Sequence, residues 1–292
     1  MSNLREIRGR INSVRSTMKI TNAMYLLASS KMKKARRSLE ATAPFFQAVQ
    51  ATMTEILSGA EDVSRSCGYF RQTQGEDKRR LFLILTSDKG LAGSYNHNII
   101  RLAEEKIALP GDDSLMFIGS SGRNYFLRRK KERPGLTLED QYTAPAVEPV
   151  MWRAVDYARH IAKRFREGET DEVFLIYTRM VNVLSSQAEC LQLLPLRPSD
   201  FRGGPGGQGI YLPSPEAVFT RSVPNYLTGL LYGAMVESYA AEQNARMQAM
   251  DSATGNAREM LQELSLLYNR VRQAAITQEI TEVVGGAQAR ER

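Results

Sequence analysis

From its fourth residue the chain sets down side chains at alternating steps of three and four: Leu4, Ile7, Ile11, Val14, Met18, Thr21, Tyr25, Ala28, Met32, Ala35 and Leu39. All but Thr21 and Tyr25 are plainly apolar. A seam held for about five heptads marks a helix that lies along another helix, because that spacing keeps one stripe facing one partner. No proline occurs before Pro44. If the helix runs on to about Leu57, it is about 85 Å long at 1.5 Å per residue. That exceeds the width of a small domain, so the helix must project from whatever else is folded and needs a partner along its length.

The other end of the chain supplies the partner. Val236, Ala240, Gln243, Met247, Met250, Thr254, Ala257, Leu261, Leu264, Tyr268, Val271 and Ala275 repeat the alternation, and no proline follows Pro224. Gly255 sits inside this stretch at a cost of about 1 kcal/mol against alanine. The two helices can pair antiparallel if the middle folds as a compact insert. That middle alternates apolar strand runs with helical stretches. Leu81–Thr86, Leu115–Gly119, Val173–Arg179 and Glu189–Leu196 read as strands, with a weaker one near Leu136–Tyr142. Residues from about 95 to 109 and Val150–Arg166 read as helices, the latter with Trp152, Val155, Ala158, Ile161 and Phe165 on one side. Such alternation predicts a mainly parallel sheet covered by helices. The expected fold is therefore α/β: a long antiparallel coiled coil of N- and C-terminal helices with an inserted, mainly parallel α/β domain. The expected divisions are an N-terminal helix over 1–60, a linker over 61–78, the α/β domain over 79–200, a Gly/Pro loop over 201–215 and the C-terminal helix over 216–292.

Composition limits the function classes. The chain has 292 residues, 42% of them hydrophobic, enough for a real core in one or two domains. No apolar run is long enough to span a membrane, and MSNLREIRGRI lacks the apolar centre of a signal peptide. Cys67 and Cys190 are too few for a disulfide scaffold, and His97 and His160 too few for a His-rich metal site. The formal net charge is +7, but residues 1–40 hold ten Lys or Arg against Glu6 and Glu40 alone. One end of the chain is built to meet something acidic.

The motifs are informative mainly by failing. Ser87-Asp88-Lys89-Gly90-Leu91-Ala92-Gly93-Ser94 follows a buried strand, as a phosphate cradle would, but its lysine precedes the glycines and neither nucleotide-binding spacing fits. A tight strand-to-helix turn is the better reading. The run Lys31, Lys33, Lys34, Arg36, Arg37 admits an acidic protein partner, a solvated face or nucleic acid. Met32, Ala35 and Leu39 carry the heptad through it, and no aromatic residues interleave to stack on bases, which favours the protein partner. No signature joins Ser, His and Asp into a catalytic set. Asp112 and Asp113 are expected to solvate a loop. Near the C-terminus Ala274, Ala275, Ile276, Ile280, Val283, Val284 and Ala287 make the helix apolar on several sides. Pairing explains only one stripe, so the rest implies burial by another protein.

Three blocks carry a resemblance: LREIRGRINSVRSTMKITNAMYLLASSKM, TSDKGLAGSYN and EQNARMQAMDSATGNAREMLQELSLLYNRVRQAAITQEITEVVGGAQA. In sequence and order they resemble the γ subunits of the rotary ATP synthases. The family pattern usually has lysine at Asn22, an acid at Tyr25 and GLCGG where this chain has Ala92 and Ser94. The regulatory cysteine loop of the plastid forms is absent. The resemblance implies a non-catalytic rotor shaft with no cofactor of its own, coupling an ion-driven ring of membrane c subunits to a catalytic head of α and β subunits. It implies partners in α, β, ε and the c ring, and a peripheral place on the cytoplasmic face of a bacterial inner membrane. Residue by residue, Met24, Lys31, Lys33 and Lys34 are expected to bind partners, the three lysines in a basic stretch that slides past the acidic lever of β. Arg272 and Gln273 match a pair that hydrogen-bonds a loop of β. Ile276, Ile280, Val283 and Val284 match the tip held in an apolar bearing, and Tyr211 and Leu212 match the foot toward ε and the c ring. A coiled-coil nucleic-acid adaptor using the basic helix is the alternative.

Overall fold

The computed structural model describes residues 2–60, 62–73, 78–107, 112–130, 135–182, 185–201 and 209–290. It divides into two compact units, one of Met1–Ala28 with Arg246–Arg292, the other of Ser29–Ala245. The N-terminal helix α1 spans Ser2–Gly59 and continues through Pro44; the C-terminal helix α6 spans Pro215–Arg290 and includes Pro224.

In the first unit the two helices pair antiparallel. Thr21 and Thr254 share a 2.7 Å hydroxyl–hydroxyl hydrogen bond, and the Arg8 guanidinium lies over the Tyr268 ring at 5.9 Å. Moving back along α1 thus moves forward along α6. Ile7, Thr21 and Ala28 are buried from one side, Met250, Ala257 and Leu264 from the other, and the remaining seam positions in this unit are half-buried. The residues between them are mostly exposed, as a heptad requires.

The second unit holds a five-stranded sheet in the order β3-β2-β1-β4-β5. The strands are β1 Arg79–Leu85, β2 Asp112–Ile118, β3 Leu136–Leu138, β4 Glu172–Met180 and β5 Ser186–Leu194. The first four pair in parallel; β5 runs antiparallel to β4 at the edge. After Arg79 and Arg80, strand β1 is apolar from Leu81 to Leu85 because both its faces are covered there. Leu81, Leu83 and Leu85 face a core shared with α5 (Met151–Arg166), α1 and α6. Phe82 and Ile84 face the opposite core, with α3 (Tyr95–Ile107) and Phe126 of α4 (Ser120–Arg129). Helices α1 and α6 meet in this unit too: Phe46 packs within 6.5 Å of the Tyr232 ring, and Gly229 leaves room for the Phe46 ring where a Cβ would sit 2.4 Å from it.

Several expectations change in detail. The stretch from Asp62, expected as a linker, forms the short helix α2 (Val63–Ser66) and a 3-10 turn at Gly68–Phe70, with Val63, Cys67 and Tyr69 buried. Those three apolar residues sit among polar ones without a period, which hid them. Asp112 and Asp113 belong to β2 rather than to a loop, and Asp113 is buried in a two-point ion pair with Arg80 (2.7 and 3.0 Å). Of the expected face of α5, Ala158, Ile161 and Phe165 are buried, joined by Ala154, Tyr157 and Ala162, whereas Trp152 is 65% exposed. The weak strand near Leu136–Tyr142 shortens to β3, followed by a 3-10 turn at Asp140–Tyr142. Of the glycine-rich stretch Arg202–Gly209, all but Gly209 lies outside the described residues, as do the end of the helical run at Leu109 and part of the expected linker.

Candidate partner-binding surfaces

The basic surface lies on α1 in the second unit. Met32 and Ala35 point into the core, which forces Lys31, Lys33 and Lys34 outward. Lys34 already has a partner: its ammonium sits 2.7 and 3.0 Å from the two carboxylate oxygens of Glu148. Both side chains are largely exposed, and such pairs contribute about 0–1 kcal/mol. Met24 is half-buried in the first unit.

The C-terminal tip belongs to the first unit. Val271 and Ala275 are half-buried on the seam, while Arg272 and Gln273 face solvent. Beyond them Ile276, Ile280, Val283 and Val284 are 46–71% exposed. Four branched aliphatic residues in water along about two and a half turns of helix form an apolar surface that the described residues leave uncovered.

A third surface precedes α6. Ile210 and Leu212 are 90% and 80% exposed, flanking a half-buried Tyr211. Burial first, then the carboxylate of Glu55, to which it donates a hydrogen bond, pushes the Tyr211 phenol up.

The loop after β1 sits where the sheet order reverses, the place at which open α/β sheets bind ligands. Here that position is filled from within. The Asp88 carboxylate accepts the Ser120 N–H at the start of α4 and the Ala146 N–H, each at 2.8 Å. An internal carboxylate thus occupies the amides that a phosphate would need. Ser87 closes the turn through Asn96 and the Lys89 carbonyl, and Leu91 is held at φ 64° with its side chain exposed. Met235, Ser238 and Glu242 of α6 line the same crevice. Among the described residues no group of three or more His, Cys, Asp or Glu is placed to hold a metal.

The family model described as ATP synthase matches residues 3–289. The ATP synthase gamma chain of Ruminiclostridium cellulolyticum is 39% identical over 298 residues, covering 99% of each chain. The chain belongs to the ATP synthase gamma chain family. The sodium-ion-specific gamma chain of Acetobacterium woodii is 37% identical over 98% of each chain. Among solved structures, the central stalk and c-ring of the Tetrahymena thermophila mitochondrial ATP synthase contains a chain of 26% identity at TM-score 0.59, covering 80% of this chain and 99% of that one. A chain of the Euglena gracilis ATP synthase rotor shares the fold at TM-score 0.62 and 15% identity, covering 94% of this chain. The full-length family match leaves the nucleic-acid adaptor without support.

As a gamma chain, the molecule carries further exposed apolar residues that the heptad reading passed over. Ile20, Leu26 and Leu27 are about as exposed as the tip, each at 60–61%. Their signal was legible as apolar residues off the three–four spacing, but a seam reading discards such positions. Ile210 escaped because it lies beside a glycine-rich stretch that reads as loop.

Proposed function

We propose that this chain is the central rotor shaft of a bacterial ATP synthase, peripheral to the membrane on its cytoplasmic face. The carrying observation is the family match along the whole chain, joined to a helix pair that ends in an uncovered apolar tip. The shaft is non-catalytic. It couples ion-driven turning of a c-subunit ring to the catalytic β subunits of a head built from α and β, with ε beside its foot.

The physics follows from symmetry. Three identical β subunits around one asymmetric shaft cannot all make the same contacts. Each contact favours a different conformation, so each site has a different affinity, and turning the shaft exchanges them. A heptad-packed helix pair suits this work because its buried seam resists bending and twisting. In this reading Ile276, Ile280, Val283 and Val284 are covered by the apolar bearing of the ring. Arg272 presents a planar fork of donors and Gln273 a donor and an acceptor to a loop of β. Met24, Lys31, Lys33 and Lys34 face β, the lysines toward its acidic segments. Tyr211 and Leu212 meet ε and the c ring. No helix among the described residues is long and apolar enough to cross a membrane, so attachment through partners is the mode this reading requires.

Reconstitution tests the reading. The purified chain should not turn over Mg-ATP. Added to the other subunits, it should restore ATP-driven ion uptake into vesicles. ATP turnover by the chain alone, or equal ion uptake without it, would count against the shaft.

A further inference from the structure

The segment Ala144–Pro149, between the Asp140–Tyr142 turn and α5, meets five different parts of the second unit. Ala144 extends the sheet beside the end of β2: its N–H donates to the Phe117 carbonyl at 3.0 Å, and its carbonyl accepts the Gly119 N–H at 2.8 Å. The Pro145 carbonyl accepts from Arg153 of α5 at 2.9 Å. The Ala146 N–H donates to Asp88, whose other oxygen takes the first amide of α4. Glu148 holds Lys34 on α1, and Val147 and Pro149 line a crevice with Met235 and Tyr239 of α6. Only the Asp88 contact joins this segment to both β1 and α4. Its two bonds are charge-assisted, and the α4 N-terminus adds a favourable field for the carboxylate.

We propose that Asp88 is a positioning residue for rotary coupling: its carboxylate pins Ala144–Pro149 as a strap that joins the C-terminal ends of β1 and β2 to the shaft helices α1 and α6. Load passing between the α/β layers and the helix pair then crosses a junction that yields little. The strap's own side chains are small, apolar or at the surface, so without the carboxylate its hydrogen bonds to the sheet reduce to the Ala144 pairing, and only the packing of Ala144 and Ala146 on the core is left beside it. Asparagine would keep one acceptor and turn a donor toward the other amide; alanine would keep neither. This inference rests on the shaft reading above.

The test uses the assembled complex in vesicles, measuring ATP hydrolysis and ATP-driven ion uptake together against a rising opposing ion gradient. Asp88→Ala should still assemble and hydrolyse ATP, while ions moved per ATP under an opposing gradient fall about fivefold, the lower range for coupling between sites. Asp88→Asn should fall between Asp88→Ala and wild type. A merely structural role would lower the yield of assembled complex and leave the ratio of uptake to hydrolysis unchanged at every gradient; that result overturns the proposal. Should Asp88→Ala not assemble, Arg153→Gln removes the bond to the Pro145 carbonyl, together with the guanidinium's contact with the exposed Trp152 ring, and must lower the ratio in the same direction. An unchanged ratio there also overturns it. Loss of any dependence of ion uptake on this chain in the wild-type complex would instead sink the shaft reading, a separate failure.

Discussion

Met32 and Lys33 are neighbours on α1 with opposite surroundings. Met32 is 7% exposed within the main core, whereas Lys33 faces solvent. Met32→Asp would bury a carboxylate with no partner, at about 3–5 kcal/mol, while Lys33→Asp should stay within about 0.5 kcal/mol. Thermal denaturation of the purified chain should separate the two; equal losses would undo the seam assignment. Asp171 makes a pH-dependent contribution. Burial alone would raise its carboxyl, but hydrogen bonds from the Arg79 side chain and backbone and from Thr73 outweigh that and bring it down to about 2. A depressed folded value means its stabilisation is full above the unfolded carboxyl value and is lost as pH falls through that value toward about 2. Asp171→Asn should therefore cost about 2 kcal/mol near neutral pH and flatten the acid limb of the stability curve. An unchanged slope between wild type and variant in acid titration would show that the ion pair with Arg79 carries none of it.

At the scale of elements, what the sequence made legible was whatever repeats. The α1 seam and the α6 seam could be read position by position, since a stripe every 3.5 residues leaves few alternatives. The buried strands could be read because apolar runs covered on both faces leave no polar period. What could not be read depends on distant partners. Asp113 is an acid in a strand only because Arg80 lies on the neighbouring strand, and the Asp88 bonds need Ser120 and Ala146, far away in sequence. The candidate surfaces were visible where apolar residues overfill a helix, as at the tip, or where basic residues crowd one, as at Lys31, Lys33 and Lys34; Ile20, Leu26 and Leu27 fell outside both patterns. Two glycines test this scale in opposite directions. A Cβ on Gly119 would lie 2.1 Å from the Thr86 carbonyl oxygen, at φ 97°. Gly119→Ala should cost at least about 3 kcal/mol by strain and overpacking. Gly255 is helical, and a Cβ there would meet nothing within 4 Å, so Gly255→Ala should stabilise the pair by about 1 kcal/mol. Denaturant titration of both variants measures the two signs; destabilisation by Gly255→Ala would show that the helix needs its glycine for bending.

At the scale of the whole molecule, the chain exposes an apolar tip, a basic stretch of which Lys34 is paired with Glu148, and an apolar segment before α6. Arg272 and Gln273 lie off the seam and are exposed, so replacing both with alanine should leave the chain folded and the complex assembled. If the pair makes the β contacts proposed above, turnover and ion pumping should fall together, because contacts that distinguish one β from its neighbours would be gone. Separate assays of assembly, hydrolysis and pumping decide this, and normal hydrolysis with normal pumping would show that the pair carries no such contact. The central claim, that this chain turns inside the catalytic head, is open to direct observation. A cysteine introduced at the exposed Arg128 on α4, with Cys67 and Cys190 replaced, would carry a bead on a head fixed to glass through its α and β subunits. On addition of Mg-ATP the bead should rotate continuously in one direction and stop when ATP is withdrawn. A bead that only fluctuates while the same heads hydrolyse ATP at the full rate would contradict the account.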